Sequence, residues 1–348
     1  MNILVTGGAG YIGTHACKRL LAEGHRVVVI DNLFRGHEQP LKTLCSQPGV
    51  GAERLVFQKG DVGDRTLVEQ LLRDHRIDAV MHFAALAYVR ESMENPLAYY
   101  RANTAAAVSL LEACEAARVD RLVFSSTCAT YGEPPADEIP IRETCRQQPI
   151  NPYGWSKLFI ERMILDDADM RRRHGKPFAA AMLRYFNVAG CDRAGLIGED
   201  HTPETHIIPI MLEVALGKRE ALTVFGTDHP TPDGTCVRDY IHVEDLVDAH
   251  AAVLKTLDPA KGDVRSYNLG TGRGHSIREV LASVERVTGK SIRTIDGPRH
   301  PGDPPTLFCD PGKIKREIGW SASIRSIDEM VESAWKWFRD HPRGYQDA

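Results

Sequence analysis

Apolar residues along the first half of the chain follow two patterns that alternate with each other. Short, nearly continuous apolar runs recur, and each precedes a stretch whose apolar positions repeat with helical spacing. Such runs are typical of strands buried on both faces of a parallel sheet, and their alternation with helices indicates right-handed crossovers. The predicted strands are Asn2–Thr6, Arg26–Asp31, Leu55–Lys59, 79–83 and 121–125, and the predicted helices cover residues 14–23, 66–75 and 97–118. The pattern predicts an α/β fold with a doubly wound parallel sheet, although a three-layer α/β protein without a nucleotide shares it.

The pattern changes after about Arg184, where polar, turn-rich segments separate fewer helices. These segments are residues 191–206, 227–234 and 296–305, and the helices predicted around them are 207–216, 243–257 and Ile277–Thr288. Long irregular loops in a compact protein are usually functional. We therefore predict two domains, with residues 1–184 forming the main sheet domain and 185–348 forming a smaller, mixed α/β substrate-binding lobe.

Charge and composition narrow the classes of partner. The 348 residues contain 43 Lys and Arg against 47 Asp and Glu, so no strong field of one sign attracts nucleic acid or an anionic membrane. The longest apolar stretch, residues 79–89, is far shorter than the ~20 residues of a membrane-spanning helix. The N-terminus lacks the basic region and cleavage site of a signal peptide. We therefore expect a soluble, cytoplasmic protein whose partners include neither nucleic acid nor membrane.

The eight cysteines are scattered along the chain and form no C-x-x-C pair. That spacing suits neither a zinc site nor the disulfide framework of a small secreted domain. We therefore predict reduced cysteines and no bound metal.

A glycine-rich segment directly follows the first predicted strand and directly precedes the first predicted helix. Gly7, Gly10 and Gly13 form a G-x-x-G-x-x-G pattern that permits a tight turn and lets backbone N–H groups approach a pyrophosphate. Asp31 ends the second strand, 18 residues beyond Gly13, where a carboxylate binds the adenosine ribose. This predicts a Rossmann-type domain that binds NAD, because the carboxylate would repel the 2′-phosphate of NADP. Arg35 could oppose that preference, but we interpret it as a solvated loop arginine.

Further candidate cofactor contacts lie where the third and fourth strands end, because ligands of open α/β sheets gather at the carboxyl ends of strands. Asp61 follows the third strand, and it either binds the adenine or caps the following helix. The predicted cofactor residues are Gly7, Gly10, Tyr11, Ile12, Gly13, Asp31, Asn32, Asp61, Val62, Phe83, Ala84 and Ala85.

The most specific chemical signal is a tyrosine and a lysine four residues apart. Tyr153 and Lys157 share one face of a predicted helix and can address one reacting atom. A free tyrosine has a pKa of about 10, but the Lys157 cation and a positive nicotinamide ring would favour the phenolate and make it a general base. Thr127, at the end of the fifth strand, can place a hydroxyl on the same substrate oxygen. A surface helix pair is the alternative, and the ordered set of glycine loop, Asp31, Thr127 and the Tyr–Lys pair argues against it.

Together these motifs resemble the extended short-chain dehydrogenase/reductases, and most closely their NAD-dependent nucleotide-sugar 4-epimerases. The segments that carry the resemblance span nearly the whole chain: VTGGAGYIGTH at residues 5–15, FSSTCATYG at 124–132, NPYGWSK at 151–157, LRYFNVAG at 183–190, VRDYIHVEDL at 237–246 and NLGTG at 268–272.

The resemblance implies a reaction in which Tyr153 takes the proton of a sugar 4-hydroxyl while carbon 4 passes a hydride to retained NAD. The ketone then turns its other face and is reduced again. Related 4,6-dehydratases and decarboxylases carry an acidic residue just after the Ser or Thr, whereas this chain has Cys128 and Ala129 there. Without an added acid or base, epimerisation is favoured. A silent NAD-sensing regulator would not need Thr127, Tyr153 and Lys157.

Several residues of the second lobe take their expected roles from the resemblance alone. Phe186 and Lys157 are implied to contact the nicotinamide end of the cofactor. The UDP-sugar is implied to contact Asn187, His206 and Arg238 through its diphosphate, and Thr223, Val224, Phe225 and Asp303 through its uridine. An arginine fork suits a diphosphate.

Departures from the family pattern affect substrate specificity. The family often has an arginine immediately before the turn at 301–303. This chain has His300 at that position and Arg299 one residue earlier, so diphosphate binding would rest more on Arg238. Leu307 stands where some members have a bulky Tyr, which leaves N-acetylated sugars open as substrates. The helices at 97–118 and 152–172 resemble the pair that forms a homodimer in this family.

Overall fold

A seven-stranded parallel sheet forms the larger part of the molecule, of which the computed structural model describes residues 1–299 and 304–345. The strands are β1 (Asn2–Thr6), β2 (Arg26–Asp31), β3 (Leu55–Lys59), β4 (Ala79–His82), β5 (Arg121–Thr127), β6 (Ala179–Tyr185), β7 (Asn187–Ala189), β8 (Leu222–Phe225), β9 (Val237–His242), β10 (Val264–Leu269), β11 (Gly274–Ser276), β12 (Thr294–Gly297) and β13 (Thr306–Leu307).

Helices connect most of these strands. They are α1 (Tyr11–Ala22), α2 (Glu38–Cys45), α3 (Gly51–Arg54), α4 (Arg65–Asp74), α5 (Val89–Glu94), α6 (Pro96–Tyr99), α7 (Ala106–Ala117), α8 (Pro152–Arg173), α9 (Ile207–Ala215), α10 (Val243–Thr256), α11 (Ile277–Thr288), α12 (Gly312–Ile318) and α13 (Ile327–Asp340). Within the described part of the chain, none combines the length and the apolar composition that crossing a membrane requires.

The main sheet has the strand order β10-β6-β5-β4-β1-β2-β3, and every neighbouring pair is parallel. The predicted doubly wound α/β fold is therefore confirmed. The connections reverse direction beside β1, whose last residue, Thr6, pairs with Ile30 of β2 and His82 of β4. Such a reversal opens a crevice at the carboxyl ends of the strands, where ligands bind in this class of sheet.

The central strands are buried on both faces, which explains their continuous apolar sequence. Alternate residues of β1 point to opposite sides, so Ile3 and Val5 join one hydrophobic core while Leu4 joins the other. Helices α1 and α10 cover the first face, and α4 and α7 cover the second.

The helix predicted at 97–118 is confirmed, since residues 96–117 are helical without a gap, but its α-helical hydrogen bonding is interrupted near the start. A π-helical turn at Tyr100–Ala105 separates α6 from α7. The buried Asn103 side chain explains the interruption: it accepts from Leu86 N at 2.8 Å and donates to Leu86 O and to Ser156 Oγ at 3.0 Å. These bonds join the loop after β4 to α8.

The second lobe contains a small sheet of β7, β9, β11 and β13 and a two-stranded ribbon of β8 and β12. Helices α9, α11 and α13 pack on these strands around a third core. However, β10 pairs with β6 and α10 packs on α1, so the chain returns to the main sheet after residue 185. A single cut between 184 and 185 therefore does not separate the two parts in space.

Candidate active site

A cleft of about 1050 Å³ lies across the carboxyl ends of the central strands and is bounded by both lobes. Its walls contain most of the residues that the sequence singles out. These are Gly7, Gly10, Tyr11, Ile12, Gly13, Asp31, Asn32, Asp61, Val62, Phe83, Ala84, Ala85, Thr127, Tyr153, Lys157, Phe186, Asn187, His206, Arg238 and Leu307.

Four predicted substrate residues lie outside the described walls of this cleft. Thr223, Val224 and Phe225 belong to the β8–β12 ribbon, and Val224 is buried in the third core at 4% exposure. Arg299 instead pairs with Asp228, its Nε lying 2.6 Å from Asp228 Oδ1. The described part of the structure therefore does not support a contact between these four residues and the substrate. The predicted contacts His300 and Asp303 lie outside the described residues.

The glycine loop is held so tightly that two of its glycines cannot carry a side chain. Gly7 has a φ of +70°, and a Cβ there would lie 2.5 Å from Ala84 N. A Cβ on Gly13 would lie 2.1 Å from Gly7 O. At Gly10 a Cβ would only come into van der Waals contact with Gly7 O, at 3.4 Å. The loop therefore presents backbone N–H groups and the N-terminus of α1 to the cleft, as pyrophosphate binding requires.

Asp31 ends β2 with its carboxylate at the cleft wall. Its Oδ2 accepts from Ala9 N at 3.0 Å and its Oδ1 accepts from Leu33 N at 2.8 Å. Burial raises the pKa of this carboxyl, and the two backbone N–H groups oppose the change. Each oxygen retains a further lone pair, which fits the predicted contact with a ribose hydroxyl.

Arg35 is not the solvated loop arginine that the sequence suggested. Its Nη2 lies 3.0 Å from Glu91 Oε2, its Nη1 donates to Thr202 O at 2.8 Å, and its guanidinium lies 4.4 Å from the Tyr88 ring centroid. The guanidinium is already paired across the mouth of the cleft. Because Glu91 already pairs with Arg35, this arginine does not favour the 2′-phosphate of NADP. The arrangement therefore agrees with a preference for NAD.

Asp61 does not cap the following helix. Asp64 does so, accepting from Leu67 N at 3.0 Å. Asp61 instead accepts from Gly63 N at 2.7 Å and from Asn32 Nδ2 at 3.0 Å, and it lines the cleft. Of the two roles left open by the sequence, the capping role is wrong and adenine binding stays a prediction.

Local geometry at the start of α8 brings Tyr153 to Thr127. Asn151 caps the helix by accepting from Gly154 N at 2.8 Å. A Cβ on Gly154 would lie 2.6 Å from Ala129 O, so only glycine lets α8 approach the turn after β5 this closely. Tyr153 is 8% exposed and Thr127 6% exposed, and both side chains line the cleft.

The electrostatics of the Tyr–Lys pair differ from the expectation. Burial raises the pKa of Tyr153 above its usual value of 10, with Tyr185 adding to the effect and the Thr127 side chain opposing it. Burial lowers the pKa of Lys157 to about 7, and Glu161 opposes the change. The protein alone therefore disfavours both charged forms, so ionisation of Tyr153 requires further positive charge at the cleft.

Sequence reasoning missed the residues that hold this pair in place. Lys157 Nζ donates to Ser125 O at 2.9 Å, and Ser156 Oγ donates to Tyr153 O at 2.7 Å while accepting from Asn103. Glu161 lies one turn after Lys157 on α8, and its Oε2 is 2.7 Å from Nη2 of Arg184 on β6 in a buried ion pair. The one available signal was a polar Asn103 within an apolar helical stretch.

The acidic residues in the described cleft walls are Asp31, Asp61 and Glu199. The first two lie at the ends of β2 and β3, and Glu199 contacts the histidine at 206. The charged forms that most affect the pKa of Tyr153 are those of Tyr185, Cys128 and Tyr99, and none of these residues is a carboxylate.

A dinucleotide-type glycine loop and a buried Tyr–Lys pair at one sheet edge define a pyridine-nucleotide-dependent enzyme of the short-chain dehydrogenase/reductase type. The model of the NAD dependent epimerase/dehydratase family matches residues 3–270. The chain belongs to this family, which confirms the resemblance inferred from the motifs.

Individual relatives match along their whole length or most of it. UDP-glucose 4-epimerase of Lacticaseibacillus casei is 46% identical over 347 residues, which cover 100% of this chain and 99% of the relative. Probable UDP-arabinose 4-epimerase 3 of Oryza sativa subsp. japonica is 46% identical over 351 residues, covering 99% of this chain and 84% of the relative. The crystal structure of UDP-glucose-4-epimerase from Stenotrophomonas maltophila with bound NAD and formylated UDP-arabinopyranose superposes with a TM-score of 0.91 at 39% identity, covering 99% of each chain.

Proposed function

We propose that the protein is an NAD-dependent UDP-glucose 4-epimerase, which interconverts UDP-glucose and UDP-galactose. The observation that carries the proposal is the buried set of Thr127, Tyr153 and Lys157 in a cleft wide enough for both a dinucleotide and a nucleotide sugar. The relatives named UDP-glucose 4-epimerase support the choice of substrate. A role in galactose metabolism follows from that reaction.

The residues that would hold NAD fit a dinucleotide. The glycine loop and the N-terminus of α1 would bind the pyrophosphate, Asp31 the adenosine ribose, and Lys157 the nicotinamide ribose. When bound, NAD supplies a hydride acceptor and the positive ring that the Tyr153 phenolate needs.

Tyr153 is the proposed general base. Its phenolate removes the proton from the 4-hydroxyl of the sugar as carbon 4 is oxidised to a ketone, and its phenol returns the proton when the ketone is reduced on the other face. Thr127 donates a hydrogen bond to the same oxygen and holds it beside Tyr153. The proton and the hydride removed in the first half are returned in the second, so the reaction needs no external redox partner.

Elimination or decarboxylation needs a further acid or base next to the ketone. Cys128 and Ala129 follow Thr127 and line the cleft, where the related dehydratases and decarboxylases are expected to carry a carboxylate. This composition supports epimerisation.

A UDP-pentose 4-epimerase is the second candidate. It is favoured by the relatives named UDP-arabinose 4-epimerase, which are as similar to the chain as those named UDP-glucose 4-epimerase. The two candidates share the catalytic residues and differ only in the group at carbon 5 of the sugar.

The testing experiment incubates the purified protein with UDP-galactose and no added cofactor, and follows UDP-glucose by chromatography. UDP-arabinose and UDP-xylose are assayed in parallel, and kcat/KM decides between the candidates. Tyr153→Phe serves as the blank. Loss of UDP-galactose to a dehydrated product, or no reaction with any of these sugars, would contradict the proposal.

The first prediction concerns cofactor retention. Purified protein should carry about one NAD per chain through gel filtration, and NADP should not replace it, because Asp31 repels a 2′-phosphate. Gly13→Ala should retain little nucleotide, since its Cβ would lie 2.1 Å from Gly7 O and displace the loop. Gly217→Ala strains a turn outside the cleft and is the control for lost stability. Wild-type protein that emerges without nucleotide would count against this prediction.

A second prediction concerns N-acetylated sugars. Leu307 lies opposite Arg238 in the β9–β13 pairing and packs with Phe186 at the cleft wall. Leucine is shorter than tyrosine and lacks its phenol, so we expect measurable interconversion of UDP-N-acetylglucosamine and UDP-N-acetylgalactosamine at a lower rate than the unsubstituted pair. Leu307→Tyr should suppress the acetylated reaction and spare UDP-galactose. No acetylated product under conditions of full UDP-galactose turnover would refute the idea.

We also propose a homodimer formed through α7 and α8. Apolar side chains are exposed on both helices, including Val108 of α7 at 41% and Phe159 of α8 at 41%. Light scattering coupled to gel filtration should show a dimer for the wild type and a monomer for Phe159→Asp. Ile295→Asp replaces an equally exposed apolar residue on β12 and should leave the dimer intact. A wild-type monomer at micromolar concentration would exclude this interface.

A further inference from the structure

Four ionisable side chains from one turn-rich segment converge beside the glycine loop. Glu199, His201, Glu204 and His206 follow the spacing E-x-H-x-x-E-x-H, and one ligand atom of each lies within 4.8 Å of the others. Carboxylate oxygens and imidazole nitrogens are ligands that zinc accepts. The family resemblance implies a role for only one of them, the contact of His206 with the diphosphate.

Three distances inside the cluster are those of neighbouring ligands around a tetrahedral ion. Glu199 Oε1 lies 3.3 Å from His201 Nδ1 and 3.2 Å from His206 Nδ1. His201 Nδ1 lies 3.5 Å from Glu204 Oε2. Zinc at its usual distance from oxygen and nitrogen ligands separates neighbouring tetrahedral ligands by about 3.3 Å.

Two of these ligand atoms are buried without a hydrogen-bond partner. Glu199 is 3% exposed, and its Oε1 and the Nδ1 of His201 face each other in a geometry unsuited to a hydrogen bond. A cation between them would satisfy both atoms. Glu204 Oε1 already accepts from Thr205 N and His206 N at 2.7 Å, which leaves its Oε2 as the ligand. Glu204 Oε1 also lies 2.8 Å from His206 Nδ1, a contact that His206 would exchange for the ion.

The charge of the cluster also calls for a cation. Across residues 1–299 and 304–345, the ion-pair partners of Glu199 and Glu204 are these two histidines alone. With neutral imidazoles, the two buried carboxylates leave a charge of about −2 that a divalent ion cancels. The competing arrangement is a protonated cluster, in which the glutamates raise the pKa of His201 to about 10.

We propose that Glu199, His201, Glu204 and His206 bind one zinc ion in a closed, four-ligand site. Four protein ligands leave no open coordination position, so the ion has a structural role. It would fix the segment whose His201 ring lies 6.1 Å from the Tyr11 ring of the glycine loop. The sequence predicted no metal because its zinc criterion was paired cysteines, which this set lacks.

The test measures zinc in the full-length protein by inductively coupled plasma mass spectrometry after gel filtration in a chelator-free buffer, with affinity determined by competition with a chromophoric chelator. Wild-type protein should carry about one zinc per chain. His201→Gln should bind at least ~10–100-fold more weakly, the loss that even changes outside the ligand set cause. His174→Gln replaces an exposed histidine at the end of α8 and should bind like the wild type.

Circular dichroism checks that each variant is folded, and Glu204→Gln is measured in the same way as a second ligand variant. Wild-type protein without zinc in a micromolar excess of the ion would overturn the proposal and leave the protonated cluster. Equal zinc in wild type and both ligand variants would place the ion elsewhere, on cysteines for example, and would also overturn it. Metal content does not depend on turnover, so failure here leaves the proposed function untouched.

Discussion

Tyr153→Phe should reduce turnover of UDP-galactose by at least ~10²–10⁴-fold, the loss typical of removing a general base. The substitution deletes the phenol oxygen and keeps a ring that is 8% exposed, so the fold and the cleft should persist. UDP affinity and retained NAD should therefore change little, and the loss should fall on kcat. Steady-state kinetics, UDP titration and NAD content measure the three quantities.

The matched control is Tyr100→Phe. Tyr100 lies in the π-helical turn, its ring contacts Phe159, and within the described residues its hydroxyl makes no hydrogen bond. It should retain wild-type activity. Thr127→Ala should cost less than Tyr153→Phe, because a water molecule can replace the hydroxyl. Near wild-type turnover of Tyr153→Phe would show that another group accepts the proton.

Lys157→Met should lower kcat by on the order of 10²-fold at neutral pH, because it removes the ammonium that favours the Tyr153 phenolate. Lys157 is 3% exposed and its Nζ donates to Ser125 O at 2.9 Å, so the charge is held inside the site. Methionine keeps most of the apolar length of the side chain. NAD content should be measured alongside turnover, since Lys157 is also the proposed ligand of the nicotinamide ribose.

The pH profile separates an electrostatic role of Lys157 from a merely structural one. Tyr153 accepts a proton only as the phenolate, so activity falls as the pH drops below the pKa of its phenol. A nearby positive charge lowers that pKa, and removing the charge raises it. The acidic limb of kcat should therefore move to higher pH in Lys157→Met.

Two further lysine variants make this result decisive. Lys157→Arg keeps the charge and should move the limb less than Lys157→Met does. Lys176→Met removes an exposed lysine paired with Glu115 and should leave the profile unchanged. A Lys157→Met enzyme with a wild-type profile would show that its charge does not act on Tyr153.

The amino-acid sequence by itself determined the elements whose signals are local. β1, β2 and β3 occupy the predicted bounds, because strands buried on both faces need continuous apolar sequence. The glycine loop was equally readable, since the tight turn before α1 excludes side chains at Gly7 and Gly13. The spacing of Tyr153 and Lys157 placed both on one helix face without knowledge of the fold.

Tertiary structure alone decided what depends on distant parts of the chain. Arg35 pairs with Glu91, which is 56 residues away, so its sequence neighbours could not reveal that it is engaged. Asn103 lies in the π-helical turn of a predicted helix and donates to Ser156, 53 residues away. The return of β10 to the main sheet follows from its pairing with β6 and not from any local composition. Burial likewise decided the direction in which the pKa values of Tyr153 and Lys157 move. The low dielectric of a packed interior disfavours the charged form of each group more than one neighbour can offset.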